Sequence, residues 1–106
     1  MLTQEQIQAA ADRIAAALHP KKIILFGSYA RGDATEHSDL DLMVVDAQTD
    51  NTFNASVLGR RAVGDVGIGV DVVAFEGATV QEHAEWQSNL IYWALKEGKV
   101  LYDAAR

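Results

Sequence analysis

Apolar positions near the start of the chain recur at helical spacing. Ile7, Ala10, Ile14, Ala15 and Leu18 follow that period, and Thr3 with Gln6 forms a capping box ahead of them. Pro20 ends that helix. The next apolar stretch, Lys22–Phe26, is short, rich in isoleucine and closed by glycine, which predicts a strand. Ser28–Arg31 reads as one turn of helix that breaks at Gly32. Asp39–Val45 alternates and then becomes wholly apolar, the pattern of a central strand. After the polar stretch Asp46–Asn51, a helix is expected over Thr52–Val63. A connection punctured by Gly64, Gly67 and Gly69 leads to a third strand over Val70–Phe75. Thr79 and Glu82 suggest a second capping box. It would open one helical region running to about Lys96, with Ala84, Leu90, Ile91, Ala94 and Leu95 in the core. Gly98 then caps that region, and Val100–Tyr102 forms a last short strand.

The succession α, β, α, β, α, β, α predicts an α/β (α+β) fold, a small mixed sheet with helices packed on it. The 106 residues suit one domain, with 49% apolar residues to build a core and 23% charged residues to face water. A domain of this size buries a smaller share of its surface than a large one, so a bound ligand or partner would add to a thin margin of stability. The absence of cysteine excludes disulfides, cysteine-ligated zinc and a thiol nucleophile. The longest wholly apolar run, Ile23–Phe26, is far short of a membrane span, and the N-terminal stretch lacks the basic flank of a signal peptide. The cytoplasm is the expected setting. A formal charge of −6 opposes non-specific attraction to nucleic acid, so direct nucleic-acid binding is not expected. The same charge suits a protein that meets polyanions through divalent cations.

The chemistry concentrates in Gly27-Ser28-Tyr29-Ala30-Arg31-Gly32 and, after a polar loop, Ser38-Asp39-Leu40-Asp41-Leu42. Side chains on a strand alternate faces, so Asp39 and Asp41 project to one side and Leu40 and Leu42 to the other. Two carboxylates held that close repel, and one is driven to take up a proton unless a divalent cation lies between them. Hard oxygen ligands of this kind suit magnesium, which shares its shell with substrate phosphates. Gly27-Ser28 ends a strand and opens a helix. That turn offers backbone N–H groups and the positive end of a helix dipole to a phosphate, with the Ser28 hydroxyl as a further donor. A triphosphate with bridging metal ions satisfies both features.

The spacing of Gly27-Ser28, ten residues, then Asp39-Leu40-Asp41 resembles the signature of the DNA polymerase beta-type nucleotidyltransferase superfamily. The stretch GSYARGDATEHSDLDLMVV and the short length are most similar to the minimal nucleotidyltransferases, commonly the antitoxin partners of HEPN-type ribonuclease toxins. Residues 22–45 carry the likeness, Val70-Asp71-Val72-Val73 adds a third carboxylate, and Glu97-Gly98-Lys99-Val100-Leu101-Tyr102 resembles the end of many such antitoxins. The resemblance implies roles residue by residue. Asp39, Asp41 and Asp71 would be the catalytic carboxylates and would hold two magnesium ions about 3.5–4 Å apart. Asp71 would also help activate the acceptor hydroxyl. Gly27 and Ser28 would hold the ATP phosphates, and Arg31 also matches the pattern. The implied activity is transfer of AMP from ATP to a tyrosine hydroxyl of a cognate HEPN toxin. Transfer to a small-molecule hydroxyl and neutralisation by binding alone are the two alternatives.

Other residues fit plainer roles. His19 before Pro20 and His83 near Trp86 read as surface or packing residues, and His37 as a loop residue beside the carboxylates. Arg60-Arg61 reads as a solvated helix face. Trp86, Tyr92 and Trp93 cannot share one helical face, so at least one should be exposed, which suits a partner surface.

Overall fold

The computed structural model describes residues 1–105. Helix α1, Gln4–Leu18, starts at Thr3, whose hydroxyl accepts from the Gln6 backbone while the Gln6 side chain accepts from the Thr3 backbone, the expected reciprocal box. Its C-cap is His19 in the left-handed region at φ 47°, and Pro20 follows. Strand β1, Lys22–Phe26, leads through Gly27 into the one-turn helix α2, Ser28–Arg31. Strand β2 runs Leu40–Val45, helix α3 Thr52–Val63 and strand β3 Val70–Phe75. Helices α4, Gly77–His83, and α5, Leu90–Glu97, precede the last strand β4, Lys99–Asp103.

The four strands form one mixed sheet in the order β3-β2-β1-β4. β1 is antiparallel to both β2 and β4, whereas β2 and β3 are parallel. A parallel neighbour requires a crossover, and α3 supplies it. Both faces of the sheet are covered, which is why the central strand departs from strict alternation. Ile23, Leu25, Leu40, Leu42, Val44, Val70 and Val72 pack with Ile7, Ile14, Leu18 and Val63 of α1 and α3. Ile24, Phe26, Met43 and Val45 pack on the other face with Val80 of α4 and Ile91 and Ala94 of α5. No helix among the described residues is long and apolar enough to cross a membrane.

Two expectations need correction. The stretch 79–96 is two helices, and no capping box forms at Thr79 and Glu82. Helix α4 begins earlier, at Gly77, because its backbone N–H finds a distant acceptor, the Asp46 carboxylate at 2.7 Å. The chain then turns between Trp86 and Asn89, and the Asn89 side chain caps α5 by accepting from the Ile91 backbone N–H at 2.8 Å. As a result Leu90 and Leu95 are exposed, at 44% and 41%, and Ala84 is half-buried; only Ile91 and Ala94 of that set are fully enclosed. The second strand also begins one residue later than expected, at Leu40, leaving Asp39 just before it.

Leu42 is wholly buried at the centre of the sheet, next in sequence to Asp41. Leu42→Ala should destabilise the fold by about 2–5 kcal/mol in urea unfolding. A loss under about 1 kcal/mol would show that this face is not close-packed.

Candidate active site

The register of the sheet brings the chemistry together. Asp41 lies opposite Phe26 of β1 and opposite Asp71 of β3. Paired residues on adjacent strands project to the same face, so Phe26, Asp41 and Asp71 share one side of the sheet. Asp39 precedes Asp41 by two residues, at the mouth of β2. Gly27 and Ser28 follow Phe26 directly, so the phosphate-type turn opens beside the carboxylates.

Asp41 sits in a strongly perturbing environment. Its carboxyl is pushed up to about 6 from an ordinary 3.8, first by burial, then by the charge of Asp71 and a hydrogen bond between the two side chains, and then by the charge of Asp39. Arg31 opposes the shift. Phe26, itself buried, is the apolar neighbour on the register. Asp71 and Asp39 are both exposed, so the site is a part-buried carboxyl flanked by two solvent-facing ones.

Two glycines make room for the acidic side chains. At Gly27 the backbone adopts φ 74° and ψ −157°, a conformation open to glycine, and a Cβ there would strike the Asp41 carboxylate. Gly27 thus serves the carboxylate as well as the turn. At Gly69 a Cβ would strike the Asp39 carboxylate, approaching its Cγ to 2.9 Å. The backbone N–H of Leu40 donates to the Gly69 carbonyl at 2.9 Å and holds the two segments side by side.

The side of the site next to the carboxylates is built by α2. Gly27's carbonyl accepts from the N–H groups of Ala30 and Arg31, both at 3.1 Å, which leaves those of Ser28 and Tyr29 at the open end of the turn. Arg31 is exposed at the far end of α2, paired with Asp33 at 3.3 Å. Tyr29 accepts through its hydroxyl from the Leu2 backbone N–H at 3.2 Å, tying α2 to the start of the chain.

Among the described residues, no three acidic, histidine or cysteine side chains converge into a ready metal cage. Asp41 and Asp71 meet, the charge of Asp39 also reaches Asp41, and the Asp39 carboxylate lies against Gly69. Two carboxylates in contact are nevertheless a donor set that fits magnesium, because that ion completes its shell with waters and substrate phosphates. None of the three histidines is part of the cluster. His19 caps α1, His37 lies exposed beside Glu36, and His83 bonds the Thr79 carbonyl and stacks edge-on against Trp86. Arg60 and Arg61 are exposed in the last turn of α3. A cavity of about 480 Å³ lies at the opposite end of the sheet, lined by Lys21, Lys22, Val45 and Asp103, and no carboxylate of the trio reaches it.

The role of Gly69 is the feature that motif spacing missed. Nothing in the local sequence marks it; in the structure Gly64 and Gly67 have positive φ and Gly69 does not, so its missing side chain answers to a neighbour rather than to the backbone.

Comparison with known proteins places these features in context. The family model described as "Polymerase beta, Nucleotidyltransferase" matches residues 5–106. A "Putative protein adenylyltransferase" of Methanocaldococcus jannaschii is 36% identical over 83 residues, spanning 77% of this chain and 78% of the relative. Another protein of that description from the same organism is 71% identical over 24 residues, 23% of this chain and 24% of the relative. Among solved structures, a toxin–antitoxin crystal structure with AMP-PNP is similar with TM-score 0.61 at 22% identity, covering 91% of this chain and 73% of that one. A "putative nucleotidyltransferase" from Sulfolobus solfataricus is similar with TM-score 0.62 at 18% identity, covering 96% and 81%. At those identities the structural likeness speaks for the fold.

The raised Asp41 value sets a sign for the pH dependence of stability. Between 3.8 and about 6 the folded chain holds this proton more tightly than the unfolded chain does. Stability from this group therefore falls as pH rises through that window, and the loss is complete above it. Asp41→Asn should raise the Tm by a few degrees at about pH 7.5 and have little effect at about pH 4. A variant less stable than the parent at the higher pH would show that Asp41 is not under repulsion.

Proposed function

The chain belongs to the polymerase beta nucleotidyltransferase family, and on that footing we propose that it transfers AMP from ATP to a tyrosine hydroxyl of a partner toxin and so silences it. It is a nucleotidyltransferase enzyme; the donor, the acceptor and the metal are the parts proposed here. The observation that carries the reading is the pairing of Asp41 with Asp71 across the parallel strands, beside the Gly27-Ser28 turn.

Asp39, Asp41 and Asp71 would hold magnesium. When bound, the metal neutralises phosphate charge and stabilises the attacking and leaving oxygens of an in-line displacement. The backbone after Gly27 and the Ser28 hydroxyl bind the β- and γ-phosphates and orient the triphosphate so that its α-phosphorus faces the carboxylates. Arg31, exposed at the end of α2, is placed to exchange Asp33 for a phosphate oxygen. Asp71, solvent-facing, accepts the proton of the acceptor hydroxyl. That oxygen bonds to the α-phosphorus, the bond from the α-phosphorus to the bridging oxygen breaks, and pyrophosphate leaves with the electron pair. AMP on a side chain adds bulk and negative charge, which disrupts a neighbouring active site by repulsion and steric cover.

Support for a protein acceptor comes from three directions. One relative at 36% identity carries the description of a protein adenylyltransferase. A structural neighbour is a toxin–antitoxin assembly with AMP-PNP, which supports both a nucleotide and a partner protein. The chain itself exposes Trp86 at 56% and Trp93 at 46%, with Leu90 and Leu95 nearby in sequence; large aromatic residues are enriched where proteins meet. The HEPN identity of the toxin and the tyrosine rest on the sequence resemblance. The cytoplasm, which supplies ATP and magnesium, is the proposed setting.

Incubation with α-labelled ATP, magnesium and the protein encoded beside this chain should place label on a tyrosine of that protein, read by mass spectrometry. Asp71→Asn should lower the rate at least about 100-fold, the scale expected for loss of a proton acceptor. Label on a small molecule instead, or a tight unlabelled complex formed equally well by Asp39→Asn with Asp41→Asn, would contradict the proposal.

A further inference from the structure

Helix α2 is a single turn of four residues. Its bonds run from the N–H groups of Ala30 and Arg31 to the Gly27 carbonyl, and from those of Gly32 and Asp33 to the Ser28 carbonyl. A helix that short does not hold itself in water, so its direction is set by what its side chains grip. Ala30 is buried but offers only a methyl group. Tyr29 offers more. Its ring packs against the apolar layer shared with α1 and α3, and its hydroxyl accepts from the Leu2 backbone N–H at 3.2 Å. Leu2 packs against the same layer, so both ends of that bond are anchored. A cavity of about 280 Å³ adjoins the ring, lined by Ile7, Gln8, Leu25, Val100 and Tyr29 itself. Packing therefore leaves the ring room to swing, and the bond to Leu2 selects its direction.

We infer that Tyr29 is a positioning residue for nucleotide binding: by tying α2 to the start of the chain it holds the Gly27-Ser28 turn at a fixed angle to the carboxylates. The inference rests on the reading of that turn as the element that holds the phosphates. The backbone N–H of Tyr29 is one of the two left at the open end of the turn, beside that of Ser28. The side chain thus acts through the backbone of its own residue and of the one before it. Donors fixed before the ligand arrives spare the ordering cost of binding. Without the bond to Leu2 the phosphates themselves must order the turn, and affinity for a triphosphate falls. Asp41 and Asp71 are held by the pairing of β2 with β3 instead, so a cation alone does not feel the loss.

The effect has a size. One hydrogen bond contributes a net amount worth about 2–10-fold in an equilibrium constant. Tyr29→Phe removes the acceptor and keeps the ring, while Leu2→Pro removes the donor.

The test is calorimetric titration of the purified chain with AMP-PNP in the presence of Mg²⁺. Tyr29→Phe should bind it about 2–10-fold more weakly than the parent. In a Leu2→Pro background the same change should leave the affinity unmoved, because the bond it breaks is already gone. Binding of Mn²⁺ alone, followed by the paramagnetic signal of the free ion, should be the same in parent and Tyr29→Phe. A variant that loses AMP-PNP and Mn²⁺ in the same proportion is damaged generally, and that result overturns the inference. So does an equal loss of AMP-PNP affinity in both backgrounds. If the parent binds AMP-PNP and Tyr29→Phe matches it, the phosphate turn stands and only the role of Tyr29 falls. If the parent binds no AMP-PNP, the proposed function and the inference fall together. Should Leu2→Pro fail to fold, hydrogen exchange decides. The Ala30 and Arg31 amides, which close the turn, should exchange about 2–10-fold faster in nucleotide-free Tyr29→Phe than in the parent; unchanged exchange overturns the inference.

Discussion

The repulsion between Asp41 and Asp71 is the constraint on which the site depends. The parallel register of β2 and β3 sets them opposite each other, and the buried Phe26 pairs with Asp41 on the neighbouring strand. A fold without a use for that pair would separate it, since burial and like charge both act against the ionised form. Here the surrounding structure does the opposite. Gly27 gives up its side chain so that the Asp41 carboxylate can lie against the phosphate-type turn. The arrangement holds a place for positive charge, which under the proposed function a cation carried by a polyphosphate would supply.

The rest of the molecule can be understood as support for that edge. Two apolar layers, one with α1 and α3 and one with α4 and α5, fix the sheet from both sides. The strand ends carrying Phe26, Asp41 and Asp71 emerge together because β1 is antiparallel to β2 and β2 parallel to β3. At the other end of β2, Asp46 receives the first N–H of α4 and an ion pair from Lys21 at 3.5 Å. That local network is made of exposed or half-exposed groups and contributes little energy by itself. Its effect is to place α4 and so close the second layer.

Much of this was legible in the residues themselves. Thr3 and Gln6, Pro20 and the isoleucine-rich Lys22–Phe26 specify α1 and β1 by local rules of capping, chain breaking and strand preference. The Gly27-Ser28 to Asp39-Leu40-Asp41 spacing indicated the placement of the acidic pair, because a strand fixes which side chains share a face. The residues from Thr79 to Lys96 were misread for a physical reason. Thr79 and Glu82 have the right spacing for a cap, but Asp46, more than thirty positions away in sequence, supplies a stronger start at Gly77. Asn89 then supplies a second start at α5. Tertiary partners of that kind leave no local trace. The same is true of the contact between Gly69 and Asp39, which is set by two strands lying side by side.

The central claim is that Asp41 and Asp71 face one another in order to share a cation with a nucleoside triphosphate. A crystal of the chain grown with Mn²⁺ and a non-hydrolysable ATP analogue tests it directly through the anomalous signal of the metal. The account predicts a peak about 2.1 Å from an oxygen of each carboxylate, with the triphosphate completing the shell from the Gly27-Ser28 side. A peak that avoids both carboxylates, or a triphosphate bound away from them, would contradict it.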